Sequence, residues 1–275
     1  MLFHRLSDYD DAYANGPHIV GGDSWAQRYT ERAAAFRAAL APTRQRLGLS
    51  YAEALPRQTF DLFLPEGEPR GLVVYVHGGY WLRNDGAMWS HLAAGSLARG
   101  HAVAVPTYRL APEARITDIG VEIAAAVAAA AALVAGPVTL VGHSAGGQLV
   151  TRLVAQGTAL APETAGRVRR VVSVAGVHDL RPLLKTAMRA PLRLDEEEAR
   201  SESPALLEPV AGVNLVCWVG GAERAEFRRQ NALIANIWTG LGAATLAYEA
   251  PDRHHFSVVE DLADADSGLT SALLD

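Results

Sequence analysis

Residues 138–150 read Val138-Thr139-Leu140-Val141-Gly142-His143-Ser144-Ala145-Gly146-Gly147-Gln148-Leu149-Val150. A short β-favouring run ends in a serine framed as Gly-x-Ser-x-Gly, and a helix-like segment follows at once. A serine on so sharp a strand-to-helix turn projects its hydroxyl beyond the end of the strand, where it can act as a nucleophile. Gly142 and Gly146 suit that turn because the two backbones must approach closely there. Five-residue matches of this kind arise by chance in glycine-rich chains. The flanking strand and helix, the second glycine at 147 and a companion motif upstream favour Ser144 as a nucleophile, with the Ala145 N–H at the helix start facing a developing oxyanion.

Outward from this turn, short β-rich runs alternate with helical ones. The runs are Gln58–Leu64, Leu72–His77, Ala102–Tyr108, Val138–Gly142, Val168–Ala175, Leu215–Gly220 and Thr245–Glu249. Several are apolar throughout, as strands covered on both faces are. Helical patterns fall at Met88–Arg99, Ile116–Ala135, Gly147–Ala155, Glu226–Leu241 and Ser257–Ala263. This alternation predicts an α/β fold with a mostly parallel central sheet and helices on both faces. Ahead of it lies an N-terminal helical extension, residues 1–56, with Trp25, Tyr29, Ala33, Phe36 and Leu40 at helical spacing over Ser24–Ala41. Residues 180–212 read as a small lid-like insertion. No repeat or linker divides the 275 residues, so one domain is expected.

In such a sheet the chemistry lies just past the carboxyl ends of the strands. After Leu72–Val76 comes His77-Gly78-Gly79-Tyr80-Trp81, where glycines let main-chain N–H groups turn inward. The N–H groups of Gly79 and Tyr80 are expected to join that of Ala145 in an oxyanion hole. His77, opening this loop, reads as structural. The base and the acid should follow the serine in the order Ser, Asp/Glu, His. Arg253-His254-His255-Phe256 follows the run through Tyr248, and His255 is the preferred base. In Gly220-Gly221-Ala222-Glu223-Arg224-Ala225-Glu226, Glu223 lies in the turn after a strand and can hold the His255 tautomer. Glu226 is the alternative, while Asp179 and Asp252 are weaker candidates.

Composition removes other classes. With 49% apolar and 20% charged residues and a formal charge of −5, the chain suits a small-molecule substrate and not a dedicated nucleic-acid or membrane-surface role. Cys217 is alone, which excludes an intrachain disulfide and a cysteine-based zinc site and fits a reducing, cytoplasmic setting. The start has no apolar leader run. Lys185 is the single lysine, so mechanisms built on several lysines are out. Neither a cofactor nor a metal is expected. Self-association into a homo-oligomer is compatible with all of this.

HGGYW at 77–81, YRLAPE at 108–113, GHSAGGQL at 142–149, the run from Ala222 to Gln230 and HHFSVVEDL at 254–262 together resemble the α/β-hydrolase superfamily. More narrowly they resemble its kynurenine formamidase (arylformamidase) branch. The specific signals are Tyr-Trp after HGG, the acid turn with Glu-Phe and Gln, and His-Phe before the last helix. The resemblance spans residues 57–274. It implies hydrolysis of N-formyl-L-kynurenine by a triad of Ser144, Glu223 and His255. The branch usually carries Asp in the acid turn, and Glu223 departs from that. Pocket walls are expected from Tyr80, Trp81, Phe256 and the insertion, with Tyr13 and Asn15 crossing the site as a cover. Arg83 and Arg109 are candidate carboxylate partners, Arg109 alternatively pairing with Glu113 or a neighbour. A broad carboxylesterase or thioesterase would share the same triad, and a non-catalytic ligand-binding relative would share the fold.

Overall fold

Leu72–Val76 is five apolar residues in succession and all five are buried, which requires cover on both faces of the sheet. Leu72, Val74 and Val76 point into one core cluster with Ile116, Ile119, Ile123, Phe227 and Trp238. Val73 and Tyr75 point into the opposite cluster with Tyr29, Trp89, Leu269 and Leu273. The period of two along one strand thus feeds two cores. The computed structural model describes residues 5–52 and 56–275; residues 1–4 and 53–55, all within the N-terminal extension, lie outside them.

Among the described residues the strands are β1 (Gln45–Ser50), β2 (Thr59–Phe63), β3 (Leu72–Val76), β4 (Ala102–Thr107), β5 (Val138–His143), β6 (Val168–Val174), β7 (Asn214–Gly220) and β8 (Ala244–Ala250). They form one sheet in the order β1-β2-β4-β3-β5-β6-β7-β8. The β1–β2 and β2–β4 pairs are antiparallel and the rest parallel. The carboxyl ends of β3, β5, β7 and β8 therefore share one edge, and the loop after each carries one of the motifs above. Edge strand β1 escapes sequence reading because only one of its faces is covered and most of its residues are exposed.

The insertion does not wall the site as the sequence reading expected. It is a series of short helical segments, Arg181–Lys185, Arg189–Leu192, Glu196–Ser201 and Pro204–Leu206. Its leucines Leu180, Leu183, Leu192 and Leu194 are buried in the same core as β3. Glu198 accepts from Arg115 and Thr117 at the start of helix Ile116–Leu133, and the Glu202 carbonyl accepts from Gln148. Apolar burial and ion pairing hold the insertion on the body of the protein.

Three fully buried histidines, His77, His143 and His178, are held neutral by desolvation, His77 down to about 4 and His178 to about 3. An unfolded chain would bind protons at the ordinary histidine value of 6.5. Unfolding therefore takes up protons below pH 6.5, and stability that is full above that pH falls as the pH drops toward 4. Each histidine adds up to about 1.4 kcal/mol per pH unit in this window. Calorimetry is expected to show Tm declining from pH 7 to pH 5; a flat Tm would contradict this account.

Candidate active site

Ser144 links β5 to helix Ala145–Arg152 with φ 56° and ψ −117°, a strained conformation for a side-chain-bearing residue. Its N–H donates to the Val174 carbonyl at 2.8 Å. A Cβ on Gly142 would lie 2.1 Å from the Gly146 carbonyl oxygen, and one on Gly146 would lie 2.0 Å from that of Val76. Only glycine permits the helix to start this close to β3 and β5. The N–H groups of Gly79, Tyr80 and Ala145 meet no acceptor among the described residues.

The loop after β3 is locked by its neighbours. His77 Nδ1 donates to the Gly78 carbonyl at 2.8 Å, and its ring stacks on Tyr108 at 4.2 Å. Tyr80 and Trp81 both have positive φ, 58° and 59°. The Tyr80 hydroxyl donates to the Tyr13 carbonyl at 2.9 Å, tying this loop to the N-terminal extension. Trp81 is buried, its Nε1–H donating to Gln148 Oε1 at 3.1 Å. It is a core residue and does not line the cavity, contrary to the sequence reading.

After β7, the fully buried Glu223 side chain places Oε2 at 2.9 Å from His255 Nδ1. The His255 ring sits between those of Phe227 and His143, at 4.6 and 4.7 Å. The adjacent His254 faces elsewhere, its Nδ1 accepting from Phe256 N and Ser257 N at 3.2 Å. Glu226 is occupied by other partners: it accepts from the Tyr13 hydroxyl at 2.6 Å and from Arg229 Nε at 2.7 Å. Asp179 pairs with Arg181, and Asp252 is exposed. Gln230 Oε1 accepts from His178 N and Asp179 N, stapling the loop after β6 to helix Ala225–Gly240.

Ser144 and His255 line one cavity of about 530 Å³, within the range of small-molecule sites. Gly79, Tyr80, His143 and Phe256 line it too. No hydrogen bond joins Ser144 Oγ to His255 in this structure, and such bonds commonly tighten only around substrate. The rest of the wall comes from the N-terminal extension at residues 14–17, 22, 23, 25, 26 and 29, with Arg83, Asn84, Met88 and Trp89. The extension is fixed there by the Tyr29 hydroxyl, which donates to the Phe256 carbonyl, and by Trp25 packed edge-on to His254 at 5.1 Å. Of the expected cover, Asn15 lines the cavity. Tyr13 does not: it is buried edge-on against Phe227, with its hydroxyl spent on Glu226. Arg109 pairs with Glu122, not Glu113.

Sequence reasoning passed over His143. Its Nε2–H donates to the His255 carbonyl at 2.9 Å. Burial and the nearby His255 push its pKa well down, so the ring is neutral and its Nδ1 a bare acceptor. Its only sequence signal was the variable position before the serine. Cys217 is buried in β7, and desolvation raises its thiol to about 12, which leaves it protonated at neutral pH.

The sequence profile of the alpha/beta hydrolase family matches residues 73–271. Kynurenine formamidase of Salmo salar is 27% identical over 212 residues, covering 74% of this chain and 71% of that protein. Kynurenine formamidase of Danio rerio is 26% identical over 242 residues, covering 84% and 82%. A crystal structure from Silicibacter sp. TM1040, described provisionally as a thioesterase, superposes with a TM-score of 0.92 at 44% identity over 98% of this chain and 99% of that one.

Proposed function

Because this chain belongs to the alpha/beta hydrolase family, we propose that it transfers an acyl group to Ser144 and that its substrate is an aryl formamide, N-formyl-L-kynurenine, cleaved to L-kynurenine and formate. The observation that carries the acyl-transfer reading is the His255–Glu223 pair on the same cavity as Ser144, with unoccupied N–H donors beside it. The substrate assignment draws on the likeness to kynurenine formamidases over most of their length. The cavity agrees with it. Trp25, Tyr29, Trp89 and Phe256 give it aromatic walls, while Arg83 and Asp23 bring opposite charges that are in no ion pair among the described residues. The leaving group is aromatic and carries a carboxylate and an ammonium.

In this mechanism Glu223 accepts the His255 Nδ1–H and leaves Nε2 free as the base. His255 takes the Ser144 proton as Oγ attacks the formyl carbon, and the N–H groups of Gly79, Tyr80 and Ala145 bind the oxyanion. On collapse, His255 gives that proton to the aniline nitrogen as the C–N bond breaks and kynurenine departs. Water, deprotonated by His255, then attacks the formyl-Ser144 ester, and the proton returns to Oγ as formate leaves.

Cleavage of a carboxylic ester or thioester is the second reading, favoured by the likeness to the Silicibacter protein. Initial rates on N-formyl-L-kynurenine, a short aryl ester and an acyl thioester separate the two. The formamide is expected to have the highest kcat/KM; a formamide rate orders of magnitude below the ester rate would overturn the assignment.

A further inference from the structure

Asn15 precedes the turn Gly16–His18, a place where asparagine side chains ordinarily accept a backbone N–H. Here the side chain makes no capping bond. It is only 2% exposed, it lines the cavity beside Ser144, and neither Oδ1 nor Nδ2 has a partner among the described residues. A buried amide with both functions unmet destabilises the free protein, whereas an apolar side chain of that size would not. The chain is anchored two residues before Asn15: the Tyr13 carbonyl accepts from Tyr80 and the Tyr13 hydroxyl donates to Glu226. A preset polar group whose donor and acceptor are both idle is what a ligand-reading residue requires.

We propose that Asn15 determines specificity by hydrogen-bonding the leaving portion of the substrate, at a group that offers an acceptor and a donor together, as the carboxylate and ammonium of an α-amino acid do. A formyl group needs almost no room, so the wall supplied by the extension serves the leaving side. The inference rests on the formamidase reading for the ligand and on the geometry alone for the residue.

The test uses the whole chain with Asn15→Leu and Asn15→Ala. The ratio of kcat/KM for N-formyl-L-kynurenine to kcat/KM for phenyl formate, which lacks the polar tail, is expected to fall at least about tenfold through KM. The Tm of Asn15→Leu is expected to match or exceed wild type, because the unmet polar atoms are gone. An unchanged ratio, or a lowered Tm with both substrates impaired alike, overturns the inference and makes Asn15 structural. A wild type that cleaves phenyl formate but not N-formyl-L-kynurenine would instead sink the substrate assignment. The Tm of Asn15→Leu then decides: a value at or above wild type keeps Asn15 as a ligand-directed group, and a fall removes it.

Discussion

Ser144→Ala is expected to lower kcat/KM by about 10⁴-fold or more, with Tm held at or slightly above the wild-type value. The chemical loss is large because no other group can replace the nucleophile: Cys217 is buried and protonated in β7. What remains is catalysis by oxyanion binding and orientation alone. The thermal expectation follows from the turn. Alanine bears the same steric burden as serine at φ 56°, and the Ser144 hydroxyl makes no hydrogen bond among the described residues, so its removal forfeits none. Steady-state kinetics with scanning calorimetry on the purified variant reads both. Retention of more than a few per cent of the wild-type rate would refute the assignment, as would undiminished labelling of Ser144→Ala by a fluorophosphonate.

The second large effect separates two glutamates three residues apart. Glu223→Gln keeps the size of the side chain but replaces the acceptor facing His255 Nδ1 with an amide that can donate. The imidazole then settles with its proton on Nε2, the atom that must receive the Ser144 proton, and kcat is expected to fall by about 10³ to 10⁴. Glu226→Gln acts elsewhere. Its carboxylate accepts from Tyr13, Arg229 and Gln230, so its neutralisation is expected to cost about 1–3 kcal/mol of stability with a far smaller change in kcat. A larger kcat defect in Glu226→Gln than in Glu223→Gln would reverse the assignment of the acid.

The central strands could be read from sequence because covered strands are continuously apolar, as Leu72–Val76 is. The serine turn was legible because its glycines answer a steric demand local to a few residues. The chain order Ser, Asp/Glu, His and the rule that chemistry follows strand ends led to His255 and to the turn after β7, but the choice between Glu223 and Glu226 needed the contacts with His255 and with Tyr13. The cavity wall was not legible, since it depends on contacts between Tyr80 and Tyr13 and between Tyr29 and Phe256, which lie 67 and 227 residues apart. Trp81 misled for a related reason: an aromatic beside the oxyanion loop looks like a pocket wall, and only its bond to Gln148 shows that it faces the core. The insertion misled because its leucines suit a mobile cover and a buried anchor equally well in sequence.

The placement of residues 14–29 has a consequence for how such an enzyme can diverge. The groups assigned to the chemistry all follow strands of the sheet, whereas much of the cavity wall beside them is contributed by chain that precedes the first strand. That leading stretch meets Arg83, Asn84, Met88, Trp89 and Phe256, which come from loops of the sheet, in one wall around Ser144 and His255. Substitutions in that short leading segment would reshape the cavity with the serine turn and its histidine left as they are.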